Sequence, residues 1–182
     1  MKYIIYILIS FNLLTFTISA EETRQVDKHE HGVGELNIAV EGSTIEFEFM
    51  IPGADIVGFE YVAKSDEDIA RINQALKTFD DYTNIFTLPS NSLCELNGQK
   101  VALKEDDEHD DHDEHDEEAH NEFVAHYSFN CGNVKEIDRI DFPYFNTFPN
   151  SGELEVQFVS GVGSTSFEVE GDKPFIDLKG KI

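Results

Sequence analysis

The sequence has few basic residues, two cysteines and no tryptophan. Its 182 residues contain 13 Lys plus Arg against 37 Asp plus Glu, which gives a formal net charge of −24. Nucleic-acid-binding proteins gain much of their affinity by neutralising phosphates with Lys and Arg, so this balance argues against that class and also disfavours anionic membrane surfaces. The balance suits a cationic partner, and a metal ion is the smallest such partner.

Motifs that would assign catalytic groups are also missing from the sequence. We find no nucleophile-elbow motif of a Ser-His-Asp hydrolase, no Gly-rich phosphate loop and no HExxH motif. Apolar residues are not scarce, because 40% of the chain is hydrophobic and it includes 15 Phe and 6 Tyr. The composition therefore predicts one folded domain with a sizeable core, and we expect it not to be an enzyme.

The N-terminal segment has the pattern of a secretory signal peptide. Lys2 precedes a mostly apolar run that polar residues interrupt, and the run ends in small residues at Ala20. We expect residues 1–20 to be removed after Ala20, which would export the chain without a membrane anchor; an uncleaved anchor is the alternative. Residues 21–28 then form a flexible leader, and residues 29–182 form the single domain.

Whether the two cysteines are expected to form a disulfide depends on the compartment to which the chain is exported. In an oxidising compartment Cys94 and Cys131 would pair, and a bridge across 37 positions would stabilise the fold by roughly 3–4 kcal/mol. The alternative is a pair of unlinked buried cysteines that pack as small apolar side chains. We expect the disulfide, and we expect it to tether both ends of the unusual segment that it encloses.

Alternating apolar residues predict several short strands. Residues 36–40 and 45–51 alternate on either side of Gly42, which predicts an antiparallel hairpin, and Asn97-Gly98 predicts a second hairpin over residues 93–103. A further strand is expected to end at Cys131. An aromatic segment at residues 137–148, here called the aromatic plug, is expected to fill part of the core, and more strands are expected after it.

One amphipathic helix is clear. It is predicted to begin after Ser65, with a core-facing stripe of Ile69, Ile72, Leu76 and Phe79. The predicted fold class is α+β and β-rich, with antiparallel, sandwich-like sheets, this helix and a disordered His/acidic loop.

Residues 105–120 form the most unusual segment, here called the His/acidic segment. Its sixteen residues comprise eleven Asp or Glu, one Ala and four histidines: His109, His112, His115 and His120. Imidazole nitrogen and carboxylate oxygen are ligands of Zn²⁺, with Cu²⁺ or Ni²⁺ as competitors, so the segment predicts metal capture of modest affinity. The alternative is a solvated charge run that only keeps the protein soluble.

A second, better-ordered metal site is predicted from histidines that border regular structure. His29 and His31 are two residues apart, so in an extended segment they would point to the same side. Together with His120 and His126 they could form a folded site.

The order of these segments resembles the ZrgA-type zinc-regulated periplasmic proteins of Gram-negative bacteria. The resemblance is carried by HEHGVGELNIAVEG, IEFEFMIPGADIVGFE, the capped helix, the Cys94 segment, the His/acidic segment and HNEFVAHYSFNC. It departs from the family pattern at Tyr61, where the family has His. The resemblance implies a periplasmic zinc-binding protein that assists a zinc-uptake ABC transporter, with the transporter's solute-binding component as a partner.

Three functions follow from these observations. The first is a zinc chaperone or reservoir. The second is a structural or adhesion-type β-rich module whose acidic segment only confers solubility. The third is the solute-binding component of a zinc transporter itself, which is less suitable because the predicted strands do not alternate with helices.

Overall fold

The computed structural model describes residues 32–105 and 120–182. Strands in these ranges are β1 Val33–Glu41, β2 Thr44–Pro52, β3 Cys94–Glu105, β4 Asn121–Cys131, β5 Arg139–Asp141, β6 Glu153–Ser160, β7 Gly163–Glu170 and β8 Phe175–Asp177. The α-helices in the same ranges are α1 Gly53–Val57, α2 Asp66–Phe79 and α3 Tyr144–Thr147. Short 3₁₀ turns occur at Tyr82–Asn84, Ser90–Ser92 and Val134–Glu136. The β-rich α+β fold class is confirmed.

The described strands form a six-stranded sheet in the order β3-β4-β2-β1-β6-β7 and a two-stranded sheet of β5 and β8. All neighbours are antiparallel except β1 and β6, which are parallel from Val33 opposite Glu153 to Ala39 opposite Val159. The large sheet is therefore mixed, whereas the alternation of residues predicted antiparallel sheets. Side-chain alternation reports which face of a strand is buried and carries no information on the direction of its neighbour.

The first predicted hairpin is confirmed, and the second is wrong. β1 and β2 pair around Gly42, which has a φ of 61° in the left-handed region that suits glycine. Asn97-Gly98 makes no reversal, because β3 runs straight through it and pairs along its length with β4. The register shifts between Leu96 and Gly98, so the glycine lies at a bulge. Pairing along the whole of β4 outweighs the local turn preference.

The predicted helix is confirmed as α2. The Ser65 side chain accepts a hydrogen bond from the Asp68 amide at 3.1 Å, which caps the first turn. Ile72 and Phe79 of the predicted stripe are buried, but Ile69 is 44% exposed. Ala75, which the prediction left out, is buried in the core instead. The short helix α1, immediately before Gly58, was not predicted.

The core lies against one face of the large sheet, here called the inner face. Aromatic residues dominate it: Phe86 stacks on Phe47 with ring centroids 4.1 Å apart, and Phe79 stacks on Phe148 at 5.1 Å. Helix α2, the small sheet and the predicted aromatic plug cover this face, and Phe142, Tyr144 and Phe148 of the plug are buried. The opposite face, here called the outer face, carries mainly polar side chains.

The disulfide between Cys94 and Cys131 is confirmed. Its position differs from the expectation, because the two cysteines pair at the start of β3 and the end of β4. The His/acidic segment joins the other ends of these strands, where Glu105 pairs with Asn121. At about 3.3 Å per residue the bridge is some 30 Å from those ends, so it does not tether them directly.

The predicted signal peptide, the leader and most of the His/acidic segment lie outside the described residues. Within residues 32–105 and 120–182, no helix is long and apolar enough to cross a membrane.

Candidate functional site

The topology brings several distant segments of the chain to one end of the large sheet, here called the loop end. β1 and β4 begin at this end, while β2 and β3 finish at it. Gly32, which directly follows His31, and His120, which directly precedes β4, are the described residues nearest the predicted histidine motifs. The segments that bear His29, His31 and the His/acidic histidines are therefore all attached at the loop end.

His120 makes the most informative contact at the loop end. Its Nδ1 lies 2.6 Å from Oε2 of Glu60, and the two side chains are 35% and 10% exposed. Because a carboxylate can only accept a hydrogen bond, Nδ1 carries the ring proton in this contact. The unprotonated lone pair of the neutral ring is then on Nε2, which is the atom available to a metal. A carboxylate that orients a histidine in this way is a recurrent feature around zinc ligands.

A distance of 2.6 Å also defines the role of Glu60. Two ligand atoms about 2.0–2.1 Å from a tetrahedral zinc ion lie about 3.3 Å apart. The His120 and Glu60 atoms are too close to share one ion as first ligands, and their separation is that of a strong hydrogen bond. Glu60 is therefore suited to orient His120, and His120 is suited to bind.

Asn121 holds the Glu60 segment against the start of β4. Its side chain is 3% exposed and donates a hydrogen bond from Nδ2 to the carbonyl oxygen of Tyr61 at 3.2 Å. Gly53 packs against the same amide: a Cβ at this position would clash with the Asn121 side chain and would lie 2.8 Å from the carbonyl oxygen of Phe59. This close packing of three chain segments fixes Glu60 beside His120.

Asp55 holds the residue that precedes β1 in place at the loop end. Its side chain is 3% exposed, and Oδ1 accepts a hydrogen bond from the Gly32 amide at 2.9 Å. The carbonyl oxygen of Gly32 in turn accepts from the amides of Gly152 and Glu153. The residue after His31 is thereby fixed to the folded domain at both of its backbone polar groups.

Acidic side chains line the outer face at the loop end. Glu35, Glu155 and Glu168 form one row across three strands, and Glu153 lies opposite Glu170 in the next row. Like charges at directly opposite positions destabilise a sheet. They also make the local potential negative, which raises the concentration of cations near the loop end.

His126 lies elsewhere. It is on the outer face in the middle of β4, 49% exposed, with Nε2 3.5 Å from Oε1 of Glu48. It is six positions after His120 in extended chain, which corresponds to about 20 Å. The predicted folded site of His29, His31, His120 and His126 therefore cannot be one site, because His126 is too far away to share an ion with His120.

The remaining predicted ligands, His29, His31, His109, His112 and His115, lie outside the described residues. In the parts of the chain that the structure describes, no group of three or more His, Cys, Asp or Glu side chains is placed to hold a metal ion. A complete site at the loop end would thus need ligands from outside these parts in addition to His120.

Sequence reasoning missed Glu60, Asp55 and Asn121. Asp55 and Glu60 both lie in the segment IEFEFMIPGADIVGFE, which carries part of the family resemblance. The sequence carried no signal for Asp55, because its burial depends on tertiary packing and the alternation of apolar residues does not report it.

The structure is thus a β-rich domain in which His120, oriented by Glu60, lies where the His/acidic segment joins β4. The family model of the ZrgA family zinc uptake protein matches residues 28–178, and the chain belongs to this family. A comparison with curated proteins finds no match. The family assignment confirms the resemblance in the sequence and associates the chain with zinc uptake. The family is one of zinc uptake proteins and not of enzymes.

Proposed function

We propose that this chain is a periplasmic zinc chaperone or reservoir. In this proposal the His/acidic segment captures Zn²⁺ with His109, His112 and His115, and the loop end retains the ion with His120 and ligands from His29 and His31. The captured zinc is delivered to the solute-binding component of an ABC transporter. The signal peptide, with cleavage after Ala20, is part of the same proposal.

The hydrogen bond between His120 and Glu60 is the observation that carries the proposal. It presents the Nε2 atom of a histidine at the junction between the folded domain and the His/acidic segment, with its ring orientation fixed. A ligand that is fixed in advance loses less entropy when the metal binds. A site that includes His120 should therefore bind zinc more tightly than the His/acidic segment alone.

The two kinds of ligand suggest a division of roles. Closely spaced carboxylates and histidines in residues 105–120 favour several weak sites with fast exchange. The oriented histidine His120 beside the largely buried carboxylate of Glu60 favours one tighter site. Zinc would then pass from the weak sites to the tight one at the loop end.

Zinc calorimetry on matched variants tests this proposal. One variant replaces residues 106–119 with a Gly/Ser segment of equal length, which spares Glu105 in β3 and keeps the strand connection. A second variant is His120→Ala. We expect the first variant to lose the weak sites and retain a tight site, and the second to lose the tight site and retain the weak ones.

Two results would overturn the proposal. Unchanged zinc binding in the Gly/Ser variant would mean that the His/acidic segment only keeps the protein soluble. The chain would then be a structural β-rich module. Unchanged tight binding in His120→Ala would remove the loop end from the function.

Transfer to the transporter requires its own measurement. The protein loaded with zinc is mixed with the metal-free solute-binding component, and the rate of transfer is recorded at increasing acceptor concentration. Direct delivery predicts a rate that rises with acceptor concentration, whereas release into solution predicts a rate limited by dissociation of zinc from the donor.

A further inference from the structure

The outer face of the large sheet holds a second pair of metal-binding groups. His126 in β4 and Glu48 in β2 are directly opposite residues of neighbouring antiparallel strands. Their side chains are 49% and 41% exposed, and Nε2 of His126 lies 3.5 Å from Oε1 of Glu48. Both groups lie in a groove of about 500 Å³ on the outer face, and Asn37 and Lys100 also line this groove.

The separation of these two atoms suits a metal better than a hydrogen bond. A hydrogen bond between imidazole and carboxylate would bring the atoms to about 2.7–2.9 Å, as in a charge-assisted contact. Two ligand atoms of a tetrahedral zinc ion lie about 3.3 Å apart at the usual bond lengths. The separation of 3.5 Å in the structure is close to this second value.

The backbone fixes this pair. Both residues lie inside strands whose register is continuous on either side, from Thr44 opposite Asn130 to Pro52 opposite Glu122. The Asn37 side-chain amide also lies 3.5 Å from Oε2 of Glu48. Binding an ion here would therefore require little additional ordering of the chain.

We propose that Nε2 of His126 and the carboxylate of Glu48 form a second, surface-exposed site for a divalent zinc ion on the outer face. Two protein ligands leave the other coordination positions to water or to a ligand from another molecule. Such an open site exchanges its ion faster than a closed four-ligand site. Its position, about 20 Å from His120, makes it independent of the loop end.

Neighbouring charges determine how the site responds to substitution. Lys100 lies opposite His126 on the side away from Glu48, so its ammonium group opposes binding of a cation. Glu46 lies two residues before Glu48 on the same face and adds negative charge. Lys100→Gln should therefore tighten zinc binding at this site, and Glu48→Gln should weaken it.

The test is a site-resolved zinc titration of the whole protein, followed through the imidazole ¹⁵N resonances. The His126 signals are assigned by their loss in His126→Gln. We expect a saturable zinc-dependent shift of the His126 Nε2 resonance, weakened at least tenfold in apparent affinity by Glu48→Gln. Glu155→Gln removes the same charge from the same face at a more distant strand, and it is expected to change this affinity by less than about twofold.

Two outcomes would overturn the proposal: a His126 resonance that does not move while the other histidines saturate, or an equal response in wild type and Glu48→Gln. The amide spectrum of each variant verifies its fold. Signals of His120 and of the histidines in residues 105–120 are read in the same titration, so failure of the loop-end function is seen separately from failure of the outer-face site.

Discussion

His120 and Glu60 are 60 positions apart in the chain, and their side chains meet at 2.6 Å across the loop end of the sheet. Three segments create this contact: the start of β4, the junction between β2 and α1, and the stretch after α1. A histidine oriented by a carboxylate that is only 10% exposed is in place before any metal binds.

Replacing Glu60 is expected to weaken zinc binding at the loop end without unfolding the domain. Glu60→Ala removes the acceptor that orients His120, and loss of such an orienting group typically costs 10–100-fold in metal affinity. Competition with a zinc-sensitive dye measures the change. Glu67→Ala on the exposed side of α2 is the matched control and should have no effect. Equal affinities of Glu60→Ala and wild type would contradict the orienting role.

Gly53→Ala is expected to destabilise the fold by about 1–3 kcal/mol, as overpacking of a well-packed site does. The new Cβ would clash with the Asn121 side chain and approach the Phe59 carbonyl oxygen. Urea denaturation measures the free energy of unfolding. Gly98→Ala is the control, because no atom lies within 4 Å of a Cβ there. Since Asn121→Ala removes part of the clash, the two substitutions should be coupled, and strict additivity would contradict this packing.

Stability is expected to fall at alkaline pH because of buried tyrosines. Burial, together with the nearby charges of Asp80 and Asp81, raises the pKa of the Tyr127 hydroxyl well above its ordinary value of about 10. The unfolded chain loses this proton first, so the stabilisation is complete below about pH 10 and is lost as the pH rises further. One such group contributes a slope of up to about 1.4 kcal/mol per pH unit.

Tyr127→Phe tests this slope through urea denaturation between about pH 9 and 11. The substitution also removes the 2.6 Å hydrogen bond that the hydroxyl donates to the Phe79 carbonyl oxygen, which costs about 1 kcal/mol at neutral pH. We expect the variant to be less stable at pH 7 and to lose less stability above pH 10. Burial also raises the pKa of Tyr144, so Tyr144→Phe should reduce the slope as well. A slope that is unchanged in both variants would contradict the prediction.

Removing the disulfide is expected to lower stability but to leave zinc binding intact. The bridge links positions 37 apart, and its loss should cost roughly 3–4 kcal/mol. It closes the end of the β3–β4 pair that is opposite to the loop end. Cys94→Ser with Cys131→Ser, studied by denaturation and by zinc titration under conditions in which the variant is folded, separates the two effects. A parallel loss of zinc affinity would mean that the bridge organises the metal site.

Several features follow from the sequence because they are local. The hairpin around Gly42, the Ser65 cap and the buried aromatic segment each depend on neighbours a few residues away, and the structure confirms them. The pairing of the cysteines was expected from the compartment that the signal pattern implies, and it is confirmed. Membership of a zinc uptake family was carried by the order of motifs along the chain.

Other features could not be predicted from the sequence because they depend on contacts between distant parts of the chain. Asn97-Gly98 has a strong local turn preference, yet it lies inside β3 because the neighbouring strand pairs along its whole length. The parallel contact between β1 and β6 joins strands that are far apart in the chain, and alternation says nothing about direction. The exposure of Ile69 depends on which side of α2 packs against the core, and helical spacing alone does not specify how wide that side is.

The sequence by itself determined the chemistry of this protein: an acidic chain whose histidines lie among carboxylates, two cysteines that pair, and strands with one apolar face. Tertiary structure alone decided which of these groups meet. It placed Glu60 against His120, fixed Gly32 to Asp55, and put His126 in the middle of β4, about 20 Å from His120. Ligand identity is a property of residues, whereas ligand distance depends on how strands far apart in the chain pair.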